Sequence, residues 1–308
     1  MAEKFDVVNV GMINFDINVK TFDPNGLVNK VTDVDEISLA LGGDAQNCAF
    51  TLSRLGMRTA LVGAVGRDKA GEICVRAERE AGIDTSMICY KDVQTGTAIQ
   101  LFQTSEAAVL NCSGANASFC LEDIPREFFG SAKIVSLNSF FGCGKIGAEF
   151  LRLAQNSGML TLADTTSLVP GNSLRDIADA LPYLDYFVPS YAEASALAGR
   201  EDPREIAQFF LSMGVKNVAI KLGAQGCLIH SPLEEKIIRG YPVSPVVDTT
   251  GCGDNFVAAF LASLVKGYTL EECAKFANAA GAINATRMGS NGAVQSFEQL
   301  IQFRKDRE

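Results

Sequence analysis

Residues 247–256 read VDTTGCGDNF, and this stretch predicts a short strand, a glycine-containing turn and a helix. The helix is indicated because apolar residues recur at helical spacing from Phe256 onward. Gly251 and Gly253 allow backbone N–H groups to approach a ligand closely, and the helix N-terminus adds the positive end of its dipole. The stretch therefore predicts a strand–turn–helix unit with an anion site suited to phosphate.

Asp254 lies inside this predicted anion site, where a carboxylate would repel phosphate. One interpretation is that Asp254 only caps the helix, which aspartate does well. The other is that it accepts a proton from an attacking hydroxyl while the neighbouring amides stabilise a transferring phosphoryl group. The segment alone does not decide between the two.

Short apolar runs alternate with helical patterns over most of the chain. Strands are predicted by apolar runs at 6–10, 59–64, 134–137, 160–163, 186–188 and 218–221. Helices are predicted near 45–55, 68–81, 145–157, 190–198 and 204–213, and over most of 254–308. This alternation predicts βαβ units, and therefore a three-layer α/β/α fold with a mainly parallel central sheet, in a single domain over residues 1–308.

Two extended segments interrupt the alternation, at about 14–40 and 97–111. The first contains the turn signal DPNG at 23–26, and the second reads as a hairpin that turns near 104–106. Because two extended segments are inserted in an α/β core, we expect them to form a small β-sheet lid. Lids of this kind exclude water from a reaction centre. A pair of ordinary surface hairpins is the alternative.

Composition narrows the class of protein. The formal net charge of −9 argues against nucleic acid as the main partner, because phosphate backbones require a basic surface. No apolar run is long enough for a membrane span, and the first residues do not resemble a signal peptide. The nine cysteines form no C-x-x-C pair, so we expect reduced thiols in a cytoplasmic protein. No P-loop occurs, and the only histidine, His230, has no nucleophile elbow to serve.

Residues 41–49 read LGGDAQNCA, where paired glycines open a second predicted helix. With this stretch and residues 247–256 together, the chain resembles the ribokinase-like (PfkB) family of carbohydrate kinases over nearly its full length. The N-terminal signature of that family matches Gly42, Gly43, Asn47, Leu55 and Gly56. Its C-terminal signature matches Asp248, Thr249, Gly251, Gly253, Asp254 and Phe256. The resemblance implies the ribokinase-like fold with its β-lid, and an ATP-dependent kinase acting on a hydroxyl of a sugar-like molecule.

The resemblance also implies roles for individual residues. Asp254 becomes the general base, and the anion hole is formed by the amides of Gly251, Cys252 and Gly253. The residues implied to bind substrate hydroxyls are Asn14, Asp16, Gly42, Gly43 and Asn47. The residues implied to border the nucleotide are Lys221, Gly223, Gly226, Asn278 and Ala282.

Metal ions and a partner are implied in the same way. ATP comes with Mg²⁺, which Glu193 would organise through water. Several relatives are activated by K⁺, for which Asp248 and Thr250 would supply ligands. The lid implies a homodimer, because it forms the dimer interface in several members.

Four positions depart from the pattern of the family. Ser190 replaces the asparagine of the Asn-x-x-Glu motif, and Asp44 stands where ribokinases proper have lysine. Cys252 occupies a position that is often alanine, where a thiol would make activity sensitive to oxidation. Lys221 ends a strand where threonine is commoner, so it either reaches a nucleotide phosphate or points to solvent, and solvent is the simpler interpretation.

The identity of the substrate is the least constrained part of the prediction. Asp16 and Asp44 favour a neutral polyol over an anionic sugar, which would require an arginine or lysine that cannot be placed. A nucleoside kinase of the same fold is the alternative. It would require an aromatic side chain from the lid to stack on a base, with Phe102 as the first candidate and Phe15 as the second.

Residues 142–147 read GCGKIG and support a remote alternative from another class of enzyme, an NAD-dependent dehydrogenase. The string follows a predicted strand, opens a helix and precedes Asp164 by about 20 residues, as in the dinucleotide fingerprint. Against this, residues 138–141 separate the strand from the first glycine, and both kinase signatures would be coincidences. We interpret Asp164 as lining the substrate or phosphate side of the cleft. A binding protein that keeps the fold without catalysis is the third alternative, and the intact Asp254 counts against it.

Overall fold

The computed structural model describes residues 4–20, 31, 33–102, 107–141, 146–165 and 171–307. In chain order its strands are β1 (Phe5–Val10), β2 (Asn14–Lys20), β3 (Glu36–Gly42), β4 (Thr59–Gly66), β5 (Asp84–Lys91), β6 (Gly96–Phe102), β7 (Ala107–Cys112), β8 (Ala132–Leu137), β9 (Leu160–Ala163), β10 (Tyr186–Phe187), β11 (Asn217–Lys221), β12 (Gly226–His230) and β13 (Glu235–Arg239). The helices are α1 (Asp44–Arg54), α2 (Lys69–Glu80), α3 (Gly147–Asn156), α4 (Tyr191–Ala198), α5 (Pro203–Ser212), α6 (Cys252–Val265), α7 (Leu270–Asn284) and α8 (Phe297–Lys305), apart from short 3₁₀ turns.

The strands form two sheets. The large sheet has nine strands in the order β13-β12-β11-β10-β9-β8-β1-β4-β5. Every pairing from β5 to β11 is parallel, and β12 and β13 add antiparallel strands at one edge. The predicted α/β fold with a mainly parallel sheet is therefore confirmed.

Helices cover both faces of the large sheet. The interior strand β1, between β8 and β4, is buried along its whole length, as expected for a parallel strand covered on both sides. Because neighbouring side chains in a strand point to opposite faces, Val7 and Val8 belong to different cores. Val7 packs in the core that contains Phe260 of α6, and Val8 packs in the core that contains Phe150 of α3. The two cores hold the carboxyl ends of the parallel strands in one row, where ligands bind in folds of this kind.

The small sheet has the order β3-β2-β6-β7. Its strands fall in the two segments that interrupted the strand–helix alternation, and β6 and β7 form the predicted hairpin. The predicted turns at 23–26 and 104–106 lie outside the described residues. The parallel pairing of β2 with β6 had no sequence signal, because these strands lie about 80 residues apart in the chain.

The two faces of the small sheet differ in character. Cross-strand pairing places one set of residues on a polar face: Asn14, Asp16, Asn18, Ser38, Gln100 and Phe102. The opposite, apolar face consists of Ile17, Val19, Ile37, Leu39, Ile99, Leu101 and Leu110. On the apolar face Leu39 is 66% exposed and Leu110 59% exposed.

None of the described helices is both long and apolar enough to cross a membrane.

Candidate functional site

The predicted anion site falls at the start of α6. Gly251 is the N-cap residue, in the left-handed region with φ of +72°, and no side chain caps the helix. A Cβ atom at Gly251 would lie 2.3 Å from the carbonyl oxygen of Ser290, so this turn requires glycine. Cys252, Gly253 and Asp254 follow in the first turn of the helix, where backbone N–H groups have no partner within the helix.

Asp254 does not cap the helix, so the capping interpretation is wrong. Its Oδ2 instead accepts a hydrogen bond from Nδ2 of Asn47 at 2.8 Å. The Oδ1 of Asn47 accepts hydrogen bonds from Ser290 and Asn291, at 3.1 Å and 2.9 Å. The side chain of Asn47, expected to bind substrate hydroxyls, thus connects the carboxylate of Asp254 to the loop behind the anion site.

The carboxyl group of Asp254 has an unusual affinity for protons. Burial raises its pKa well above the ordinary value, and the negative charge of Asp44 raises it further, while the hydrogen bond from Asn47 opposes the rise. Asp44 itself accepts a hydrogen bond from Ser139 at 3.1 Å. A carboxylate with a raised pKa is suited to take a proton from a hydroxyl near neutral pH.

The polar face of the small sheet borders the same cleft. Asp16 is 6% exposed and accepts a hydrogen bond from Gln100 at 3.3 Å, and burial raises its pKa to about 6. A Cβ atom at Gly42 would lie 2.0 Å from Oδ2 of Asp16, so the absence of a side chain at Gly42 lets this carboxylate lie against the backbone of β3. Within the described residues, Oδ1 of Asp16 and Oδ1 of Asn18 are buried without a protein hydrogen-bond partner. Buried polar atoms are nearly always satisfied, so these two acceptors point to a ligand with hydroxyl donors.

The other residues expected to contact substrate lie in different environments, and not all of them face the cleft. Asn14 is buried, and its Oδ1 accepts a hydrogen bond from Asn116 at 2.8 Å. Gly43 is the N-cap residue of α1. Phe102 lies on the polar face, four residues beyond the position paired with Asp16, or roughly 13 Å farther along the strand. Phe15 lies on the opposite side and packs beside Leu41 in a small core, so its expected stacking on a nucleoside base is wrong.

Lys221 lies inside the cleft, so the interpretation that it points to solvent is wrong. Its Nζ is 2.5 Å from Oδ2 of Asp164, and the two side chains are 13% and 6% exposed. Burial raises the pKa of Asp164 to about 7, and the ammonium of Lys221 opposes that rise. Burial alone would lower the pKa of Lys221, but Asp164 and Glu193 raise it, which keeps the ammonium charged.

The residues expected to border the nucleotide lie at the same edge of the large sheet. Gly223 and Gly226 shape the tight connection between β11 and β12, both with positive φ. Asn278 of α7 donates hydrogen bonds to the carbonyl groups of Ile238 and Arg239, at 3.1 Å and 3.2 Å, so its amide secures the end of β13. Ala282 lies one turn later on α7 and is half-buried.

Glu193 lies close to the Lys221–Asp164 pair. Its Oε2 accepts hydrogen bonds from the hydroxyl groups of Thr165 and Ser190, at 2.5 Å and 2.6 Å. Ser190 thus forms a capping box with Glu193 at the start of α4. No group of three or more metal-ligating side chains occurs among the described residues. The carboxylate of Glu193 beside this pair fits Mg²⁺ brought by a nucleotide, because proteins usually bind that ion through one or two carboxylates together with phosphates and water.

Asp248 connects two loops beside the anion site. Its carboxylate accepts hydrogen bonds from the backbone amides of Thr250 and Gly289, both at 2.9 Å. The carbonyl of Thr250 accepts a hydrogen bond from Asn284 at 2.8 Å.

Burial raises the pKa of the Cys252 thiol, which disfavours the reactive thiolate and gives no support to the expected sensitivity to oxidation.

Three contributors to the cleft escaped prediction from sequence. Asn18 could have been found, because Asn14, Asp16 and Asn18 repeat at the two-residue period of a strand. Gln100 and Asn291 gave no such signal, since they enter the site only through pairings across 84 and 244 residues of the chain.

The parallel sheet, the helix start with its buried carboxylate, and the buried acceptors without a protein partner on the opposite sheet define a phosphotransferase acting on a small molecule. The chain belongs to the pfkB family of carbohydrate kinases, whose sequence pattern matches residues 4–296. The carbohydrate kinase prediction is confirmed, and the dehydrogenase alternative is wrong. In the string that suggested it, residues 142–145 lie outside the described part of the chain.

Individual relatives agree with this assignment. The chain is 28% identical to the ribokinase of Haemophilus influenzae, over 96% of each chain. It is 30% identical to an ATP-dependent ribose-1-phosphate kinase of Halopiger xanaduensis, over 93% of this chain and 94% of the relative. Its fold matches the crystal structure of a ribokinase from Thermotoga maritima with a TM-score of 0.85 and 28% identity, covering 98% of this chain and 99% of that one.

Proposed function

We propose that this kinase transfers the γ-phosphoryl group of ATP to a hydroxyl of a neutral sugar, with Asp254 as the general base. The observation that carries the proposal is the buried carboxylate of Asp254 in the first turn of α6, where it caps nothing and is held by Asn47. A fixed, proton-accepting carboxylate beside an anion-binding helix start is what an attacking hydroxyl requires.

The proposed chemistry follows from this placement. The substrate hydroxyl gives its proton to Asp254, and its oxygen forms a bond to the γ-phosphorus as the bond between that phosphorus and the leaving ADP oxygen breaks. The amides of Gly251, Cys252 and Gly253, at the positive end of the α6 dipole, stabilise the charge on the transferring group. The β11–β12 connection and α7 would hold ATP along this edge of the large sheet.

Magnesium bound with ATP supplies further positive charge to the transferring phosphoryl group. Glu193 is the carboxylate placed to orient it through water, and Ser190 fixes Glu193 in place of the asparagine usual in the family. A potassium ion beside Asp248 and Thr250 is proposed as an activator, because these residues link the anion site to the 285–293 loop.

We propose a neutral sugar because the cleft is lined by carboxylates. Asp44 and Asp16 flank the side where the substrate would lie, and Asp164 and Asp254 follow toward the phosphate side. Lys221 is the cation whose charge acts on Asp164 and Asp254, and it lies on the phosphate side. A sugar acid or sugar phosphate would bring a further negative charge to this cleft, and that is unfavourable.

The small sheet is proposed to act as a lid on this single-domain chain and to form a homodimer interface. Its polar face supplies the hydroxyl acceptors, and its apolar face leaves Ile37, Leu39 and Leu110 exposed. Exposed apolar side chains gathered on one face often mark an interaction surface, and a second copy of the same sheet offers a matching face. We place the protein in the cytoplasm, which the free thiols of the eight described cysteines support.

The test is release of ADP from Mg-ATP across a panel of neutral sugars, sugar acids, sugar phosphates and nucleosides, with K⁺ present or replaced by Na⁺. We expect turnover with a neutral sugar and stimulation by K⁺. Preference for a charged sugar would contradict the substrate assignment. Preference for a nucleoside would favour the alternative, in which Phe102 stacks on the base. No turnover with any sugar or nucleoside would contradict the kinase proposal for this chain.

A further inference from the structure

The ion pair between Lys221 and Asp164 is not explained by the proposed transfer reaction alone. Both side chains are almost fully buried, and burying two charges is costly unless their geometry is excellent or they serve a function. Both carboxylate oxygens of Asp164 are engaged, one by Lys221 and the other by the backbone N–H of Thr165 at 2.8 Å. Asp164 therefore holds the ammonium in one place.

The ammonium of Lys221 lies next to the predicted anion site. A Cβ atom built on Gly253 would lie 3.4 Å from Nζ of Lys221, so the ammonium rests against the first turn of α6. Lys221 is also close enough to Asp254 for the two charges to interact. Its backbone is fixed as well, because β11 ends in a bridge to Ser190 and the N–H of Lys221 bonds to the carbonyl of Pro189.

These distances identify which phosphate the ammonium would meet. A general base must lie within hydrogen-bond distance of the attacking hydroxyl, which in turn lies about 3–3.5 Å from the phosphorus under attack. In the proposed reaction only the γ-phosphate would come that close to Asp254. A cation lying against Gly253, next to Asp254 in the chain, therefore faces the γ end of ATP rather than its α end.

We propose that Lys221 binds the γ-phosphate of ATP directly and that Asp164 is the positioning residue that holds it there. The inference rests on the proposed ATP-dependent kinase activity and adds a residue that reads the third phosphate. Lys221 forms and breaks no covalent bond, and it keeps its proton throughout. Its charge adds to the amides of the α6 turn as negative charge develops on the transferring group.

The test compares binding of two nucleotides in the absence of sugar, by calorimetry on the full chain. The probes are the magnesium complexes of ADP and of the β,γ-imido analogue of ATP. We expect Lys221→Met to weaken the ATP analogue by about tenfold to a hundredfold, the range for losing a hydrogen bond to a charged group. Affinity for ADP should change little, because ADP lacks the γ-phosphate.

A matched control lies at the other end of the same strand. Lys216 immediately precedes β11 and pairs with Asp185 at 2.6 Å, so Lys216→Met removes the same charge from a more exposed ion pair outside the cleft. It should bind both nucleotides as the wild type does. Asp164→Asn should reduce the preference for the ATP analogue over ADP, with ADP affinity kept, whereas a merely structural role would weaken both.

The outcomes separate the two proposals. If the wild type binds neither nucleotide, the ATP-dependent activity fails, and the role of Lys221 fails with it. If the wild type binds both but Lys221→Met weakens them equally or not at all, only the role of Lys221 is overturned. The same conclusion follows if Lys216→Met changes the preference as much as Lys221→Met does.

Discussion

The two walls of the cleft differ in how their polar groups are satisfied. On the wall formed by the small sheet, Asp16 and Asn18 keep buried oxygens without a protein partner among the described residues. On the wall formed by α6 and the ends of the parallel strands, Asp254 is bonded to Asn47 and Asp164 to Lys221. We propose that a ligand completes the small-sheet wall, called the open wall below, whereas the α6 wall, called the preorganised wall, is already hydrogen-bonded without one. Preorganised groups suit the stabilisation of a transition state, and open acceptors suit recognition of a substrate.

The largest expected effect tests the preorganised wall. Asp254→Asn keeps the shape of the side chain but removes the proton acceptor, so kcat should fall by about a hundredfold or more. Binding of Mg-ADP, measured by calorimetry, should remain, because the anion site itself is intact. If Asp254→Asn keeps most of the activity, this wall contains no general base and the proposed mechanism is wrong.

A smaller effect is expected on the open wall. Asp16→Ala removes an acceptor for substrate hydroxyls, so KM for the sugar should rise by about tenfold or more while KM for ATP stays. Asn111→Ala is the matched control, since Asn111 lies on the same face in β7 but is exposed. Steady-state kinetics at varied sugar and varied ATP distinguish the two constants. A rise in both would show that Asp16 supports the whole cleft rather than one wall.

The open wall should also depend on the partner copy. Leu39→Lys places a charge on the apolar face and should convert the proposed dimer to a monomer, with a modest rise in KM for the sugar. Val109→Lys is the control, because Val109 is 57% exposed but pairs with Gln100 and so lies on the opposite face. Light scattering after size-exclusion chromatography reports the mass. A wild type that runs as a monomer, or a Val109→Lys variant that dissociates equally, would contradict the proposed interface.

The smallest expected effect concerns Glu78, a buried carboxylate away from the cleft. It is compared with Asp16, whose buried oxygen we propose to bind substrate. Glu78 of α2 is fully buried, its two carboxylate oxygens lack a partner within the described chain, and burial raises its pKa to about 8 against a slight opposing effect of Arg79. Its ordinary pKa is near 4.5, so the folded state binds the proton more tightly than the unfolded chain. The associated stability is full below about pH 4.5 and is lost as the pH rises through about 8.

Glu78→Gln should therefore raise the melting temperature by a few degrees at pH 8–9 and less at pH 6. Glu80→Gln, an exposed position on the same helix, should not change it. KM for the sugar should stay constant in both variants, in contrast to Asp16→Ala. A Glu78→Gln variant that melts below the wild type at high pH would mean that the ionised carboxylate has a partner in solution.

Sequence patterns predict most of the secondary structure of the preorganised wall but few of the hydrogen bonds and ion pairs within it. The strand–turn–helix unit at Asp254 is local, so glycine spacing and helical periodicity predict it. The hydrogen bond from Asn47 to Asp254 spans 207 residues, and the Lys221–Asp164 pair spans 57, so neither leaves a local pattern. The same reason explains the error at Lys221, because a lysine at a strand end usually reaches solvent unless a buried acid is placed beside it by the fold.

The open wall was predicted as a pair of extended segments but not as two chemically different faces. Side-chain alternation along a single strand fixes which residues share a face, yet which face meets the cleft depends on what packs behind the sheet. Phe15 shows the consequence, since it is one residue from Asp16 and points to the opposite side.

The left-handed turn at Gly251 has a consequence for the mutational tolerance of this chain. Any side chain there would meet the carbonyl of Ser290, and the loop carrying Ser290 and Asn291 also bonds to Asn47, which holds the carboxylate of Asp254. A substitution at a position that has no side chain would thus disturb the reacting carboxylate of Asp254 through a series of contacts. In a comprehensive substitution library selected for growth, position 251 should be depleted as completely as position 254.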